Sequence, residues 1–142
     1  MMKCISAQSP RANLVNVTLP PKLEQELGEL RLNHRIHVSD EGDFINLVFL
    51  NFSLGEGFKP RTSDLLLRVP RSYPDAGPDM FWVDTSVTLY DGRLPQGAES
   101  VEGPYAARHW RRFSWHRPAW NPSIENIHSF VEFVRRRLQE KR

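Results

Sequence analysis

The segment RIHVSDEGDFINLVFLNFSLG, residues 35–55, limits the possible folds of this chain more than any other stretch. It reads as two strands joined by a turn at Asp40–Asp43. Successive side chains of a strand point to opposite faces. Ile45, Leu47 and Phe49 therefore share one side of the second strand, and Val48, Leu50 and Phe52 share the other. Both sides are apolar, so this strand belongs inside a sheet that is covered, at least in part, on both faces.

The neighbouring segments extend that sheet. SDLLLRVP, residues 63–70, places Leu65, Leu67 and Val69 on one face and stops at Pro70. MFWVDTSVTLY, residues 80–90, reads as a fourth strand, and the spacings predict a four-stranded antiparallel meander. Upstream, TLPPKLEQELGEL has prolines at a helix start and Leu23, Leu27 and Leu30 on one helical face; Gly28 keeps that helix short. Residues 91–109 hold three glycines and two prolines and read as a long loop. The segment WNPSIENIHSFVEFVRRRLQEKR is the clearest helix. Asn121 caps it and Pro122 suits its first turn. Glu125 and Arg135–Arg137 complement the helix dipole, and Ile124, Ile127, Val131, Val134 and Leu138 form its core stripe. The order is helix, four strands, long loop, helix, which is an α+β fold with helices on one sheet.

A chain of 142 residues suits one domain, here residues 18–142 after a loose lead-in over 1–17. The apolar fraction of 39% and charged fraction of 25% argue against wholesale disorder. A net charge of +2 does not imply a polyanion partner for the whole surface. Cys4 is the one cysteine, so no disulfide forms within the chain. No apolar run approaches the ~20 residues that cross a bilayer, and the start has no signal-peptide stretch. The expectation is a soluble cytoplasmic protein with no membrane partner.

Two local motifs, in this order, resemble the ubiquitin-conjugating-enzyme (UBC) fold. In LLLRVPRSYPDAGPDMFWV, Tyr73, Pro74 and Pro78 match that family's tyrosine–proline turn, and Phe81 to Val83 match the strand after it. In WNPSIENIHSFVEFV, Trp120 and Pro122 are similar to the tryptophan–x–proline segment that follows the family's active site. The resemblance runs over about residues 19–138 and points to the prokaryotic branch called family E, associated with bacterial ubiquitin-like conjugation operons. It implies two protein partners, a ubiquitin-like protein and an adenylating (activating) enzyme that delivers its acyl group. It also implies an acceptor cysteine a few residues before Trp120. This chain has no cysteine there, and TLYDGRLPQG stands where the family has His-Pro-Asn.

Ser114, in HWRRFSWHRPAW, is the nucleophile available in that region. A hydroxyl is a poor nucleophile until a base takes its proton. His116 lies two residues on, and Pro118 favours an extended chain, in which the two share a face. Trp110, Arg112, Ser114 and His116 then line one side, and Arg111, Phe113 and Trp115 the other. The catalytic set is Ser114 as acyl acceptor, His116 as general base, and Arg112 with backbone N–H groups at the oxyanion. Asp84 or Asp91 is available to orient His116. The product is an oxyester in place of the usual thioester. The loss of the cysteine also suits a second reading, a catalytically inactive module that binds a ubiquitin-like protein or its activating enzyme.

A third reading takes Arg108, Arg111, Arg112 and Arg117, interleaved with Trp110, Phe113 and Trp115, as a single-stranded nucleic-acid surface. Such arginines also form cation–π contacts within one protein, and no nucleic-acid motif accompanies them, so this partner is the least expected. Tyr73 and Trp120 read as packing residues, His128 as solvent-facing or capped, and Cys4 as a free thiol. His34, His37, His109 and His128 have no ligand spacing, so no metal or organic cofactor is implied.

Overall fold

The computed structural model describes residues 17–117 and 119–140. Residues 1–16 of the expected lead-in, with Cys4, lie outside these, as does Pro118. Helix α1 spans Pro21–Leu30, with proline at its start and Glu24 in its first turn; it buries Leu23, Glu26, Leu27 and Leu30. Strands β1 (Ile36–Glu41), β2 (Phe44–Ser53), β3 (Phe58–Lys59), β4 (Thr62–Pro70), β5 (Phe81–Val83), β6 (Thr88–Leu89), β7 (Val101–Tyr105) and β8 (Arg108–Phe113) follow. Helix α2 (Ile127–Glu140) ends the described fold. This is an α+β architecture. The main sheet has six antiparallel strands in the order β1-β2-β4-β5-β8-β7, and β3 pairs with β6 apart from it.

The sheet is therefore larger than four strands, and the loop expected over 91–109 is largely structured. Its second half is β7 and the start of β8. Gly103 and Pro104 are tolerated because β7 is an edge strand, where a missing N–H costs no ladder bond. The hairpin tip is Ala106–Ala107, with φ of 48° and 66°. Tight hairpins need that handedness, and Asn-Gly usually signals it. Two alanines give no such signal. The fourth expected strand also divides: β5 joins the main sheet, and Thr88–Leu89 leaves it to pair with β3.

Both faces of β2 are covered. Ile45, Leu47 and Phe49 join the larger core, with Leu65, Leu67, Val69, Phe81, Phe113 and both helices. Val48 packs on the opposite face with Leu66, Trp82 and Trp110. Phe52 departs from strict alternation and lies in the larger core. A register shift between Phe49 and Phe52, with Asn51 at φ 54°, inserts a bulge that turns it over. The sheet also curls: the Ala106 N–H at the β7–β8 tip reaches Glu41 Oε2, at the end of β1, at 2.9 Å.

Helix α2 begins at Ile127, later than the sequence suggested, and Ile124 is 73% exposed. Asn126 and Ser129 explain the shift. The Ser129 N–H donates to Asn126 Oδ1 at 2.8 Å and the Asn126 N–H to Ser129 Oγ at 3.0 Å, a reciprocal cap. Asn121 instead closes a turn, accepting from the Ser123 N–H at 3.0 Å. The core stripe is Ile127, Phe130, Val131, Val134 and Leu138. No helix among the described residues is long and apolar enough to cross a membrane.

Candidate functional site

The site is built around the end of β8. Phe113 and Trp115 point into the larger core. Phe113 stacks on Phe81 at 4.9 Å, and Trp115 meets Phe113 edge-on at 4.8 Å. The Trp115 indole N–H donates to Gln96 O at 2.8 Å and the Ser114 N–H to Gly97 O at 2.9 Å. On the other face Trp110 is fully buried, and its indole donates to Tyr105 O at 2.8 Å. Just past β8, Ser114 is half-buried and His116 exposed, where Phe113 and Trp115 are buried.

Arg112 and Ser114 meet. Arg112 Nε donates to Ser114 Oγ at 2.9 Å. The guanidinium is held from behind by Glu102 on β7, whose Oε2 lies 3.0 Å from Arg112 Nη1. Glu102 Oε1 accepts from the Trp82 indole at 2.9 Å and the Tyr105 hydroxyl at 3.4 Å. Strand register explains the cluster: Trp82 lies opposite Arg112, and Glu102 opposite Trp110. A charged donor fixed on the hydroxyl oxygen stabilises negative charge that develops there. The Ser114 N–H is committed to Gly97, so it is not a free oxyanion donor.

His116 is not bonded to Ser114. Its Nδ1 lies 2.9 Å from Asp79 Oδ2 and 3.0 Å from Oδ1, on the segment between β4 and β5. Asp84 and Asp91, the two carboxylates suggested by the sequence, are engaged elsewhere. Asp84 pairs with Arg108. Asp91 is bound by Arg93, whose backbone N–H, followed by its side chain, holds the carboxyl below its usual range. Asp79 is 37 residues from His116, so no local spacing marks it. The available signal is indirect. Trp120 packs on Tyr73 at 5.9 Å and its indole donates to Pro74 O at 2.8 Å. The segment leading to Trp120 must therefore run beside the tyrosine–proline turn that precedes Asp79.

A cavity of about 340 Å³ borders both ion pairs through their carboxylates. Asp79 and Glu102, the carboxylates of those pairs, line it together with the Arg68 guanidinium, Met80, Trp82, Tyr105 and Phe44. Among the described residues no cluster of His, Cys, Asp and Glu is placed to hold a metal ion.

The nucleic-acid reading loses its stacking surface. Trp110, Phe113 and Trp115 are all buried. The arginines between them are engaged within the protein. Arg108 lies over Trp110 and pairs with Asp64 and Asp84, and Arg111 donates to Thr85 O and Ala98 O. Arg117 pairs with Glu125 at 2.7 Å and lies over the Phe133 ring.

No curated protein and no solved structure matches this chain. A family model, prokaryotic E2 family E, matches residues 19–141, nearly the span over which the tyrosine–proline and tryptophan–x–proline motifs resemble the UBC fold. With the α+β sheet, the Tyr73 turn and Trp120 packed against it, the match shows that the chain belongs to prokaryotic E2 family E, a ubiquitin-conjugating-enzyme-like family.

Proposed function

We propose that this protein accepts the activated C-terminal acyl group of a ubiquitin-like protein on Ser114, as an oxyester, and passes it on. The observation that carries this reading is the 2.9 Å bond from Arg112 Nε to Ser114 Oγ. A nucleophile of this kind needs its developing charge stabilised. Ser114 also lies in the part of the chain where the family resemblance expects an acceptor. His116, with Asp79 at its Nδ1, supplies an oriented base for passing the acyl group on. The acyl group arrives from a separate adenylating enzyme, and both partners are proteins. Incubation with the activating enzyme, ATP and the ubiquitin-like protein is expected to give a base-labile, hydroxylamine-sensitive adduct on the wild type. Ser114→Ala is expected to give none.

One observation favours the second reading, a binding module without chemistry: no base touches the Ser114 hydroxyl among the described residues. Under that reading the wild type forms no adduct yet still binds the ubiquitin-like protein or the activating enzyme.

A further inference from the structure

We infer that the His116–Asp79 pair serves the second half of the reaction, taking the proton of an incoming primary amine, and not the loading of Ser114; this rests on the oxyester reading above. Three features of the site support the division. First, the hydroxyl of Ser114 is already attended by Arg112, and His116 makes no bond to it. Second, Asp79 engages Nδ1, which leaves Nε2 as the ring nitrogen turned to proton transfer with a second molecule. His116 is exposed, and its Nε2 makes no hydrogen bond among the described residues. Third, the 340 Å³ cavity is bounded by both Asp79 and Glu102. It therefore borders both the carboxylate that holds the imidazole and the carboxylate that holds the guanidinium on Ser114. Its walls of Met80, Trp82, Tyr105 and Phe44 suit an alkyl stem, while its charged groups, Asp79, Glu102 and Arg68, are already paired within the protein.

The proton balance points the same way. In loading, a thioester delivered by the activating enzyme is attacked by Ser114 Oγ. The carbon–oxygen bond forms, the carbon–sulfur bond breaks, and the serine proton leaves with the departing thiol. That step brings its own proton acceptor. In transfer, an alkylammonium, with a pKa of about 10.4 for lysine, must first become nucleophilic. The nitrogen–carbon bond forms and the carbon–Oγ bond breaks. Of the two protons that the ammonium gives up, one restores the Ser114 hydroxyl and His116 carries the other to solvent. Arg112 stays on Oγ throughout and supports it as the leaving group.

The test separates loading from discharge in the full chain. Wild type, His116→Gln and Asp79→Asn are loaded with the activating enzyme, ATP and the ubiquitin-like protein. The loaded proteins are isolated and discharged by free lysine or by hydroxylamine. Hydroxylamine is unprotonated near neutral pH and needs no base. All three proteins are expected to load to the same extent and to discharge equally with hydroxylamine. Discharge by lysine is expected to fall about 100-fold in His116→Gln, and in the same direction in Asp79→Asn, where Asp79 acts as a positioning residue. Failure of His116→Gln to load would make the histidine the base of Ser114 and overturn the inference. Equal discharge by lysine in all three would overturn it while leaving the oxyester intact. Absence of an adduct on the wild type would remove the oxyester reading and the inference with it.

Discussion

Glu26 is a carboxylate only 3% exposed, on a helix face otherwise made of leucine. It is held there by its partners. The Tyr73 hydroxyl donates to its Oε1 at 2.5 Å, the Ile127 N–H donates to the same oxygen at 2.9 Å, and Lys22 lies 3.4 Å from Oε2. One side chain thus ties α1, the tyrosine–proline turn and the start of α2 together. Burial, then the bond to Glu26, raises the Tyr73 phenol pKa, so its proton stays on the oxygen as donor. Tyr73→Phe removes that donor from a buried acceptor and is expected to cost about 1–3 kcal/mol, read from the urea midpoint. A packing role for Tyr73 was legible beside Pro74; its partner, 47 residues upstream among leucines, was not.

His34 gives a second prediction at this scale. Its ring lies 5.4 Å from Phe49 and 6.1 Å from Phe52. Burial, followed by the charge of Arg135, lowers its pKa in the folded state. Below the ordinary histidine value of about 6.5, the unfolded chain then binds more protons than the folded one. Stability contributed at this position is fully present above that value and is lost as pH falls toward the depressed one. Urea midpoints measured from pH 7.5 to 5 are expected to decline less in His34→Gln than in the wild type.

At the scale of elements, the segment that carries Ser114 is fixed by what it leans on. A Cβ built on Gly77 would lie 2.3 Å from the Trp120 ring. Gly77→Ala therefore pushes Trp120 off the tyrosine–proline turn. The expected cost is about 1–3 kcal/mol from overpacking, with a changed tryptophan fluorescence maximum as a second readout. The elements that periodicity revealed are those with long apolar patterns: α1, β1, β2, β4 and the body of α2. Those it missed are set by local competition. The β7–β8 hairpin turns on two alanines, β2 bulges after Phe49, and Asn126 outcompetes Asn121 as the cap of α2. Of the site, the alternation that carries Arg112 to Ser114 was legible. The Asp79 contact depends on two distant segments meeting and was not.

At the scale of the whole molecule, a single carboxylate closes the curl of the sheet. Glu41 accepts from the Ala106 N–H and from Asn46 Nδ2 at 2.5 Å, and it lies 3.6 Å from Arg68 Nη2. Arg68 in turn lies over the Tyr105 ring at 3.9 Å. Glu41→Ala leaves the hairpin tip without this anchor. The expected result is a loss of about 1–3 kcal/mol and faster hydrogen exchange at the Ala106 amide than at the central amides of β2. With the rings of residues 110–115 buried, oligonucleotide anisotropy at physiological salt is expected to stay flat.

Strand β8 is pinned by its own Trp110 in one core and its own Phe113 in the other, with an edge strand and β5 along its flanks. Whatever reaches Ser114, just past its last residue, meets a support anchored on both faces.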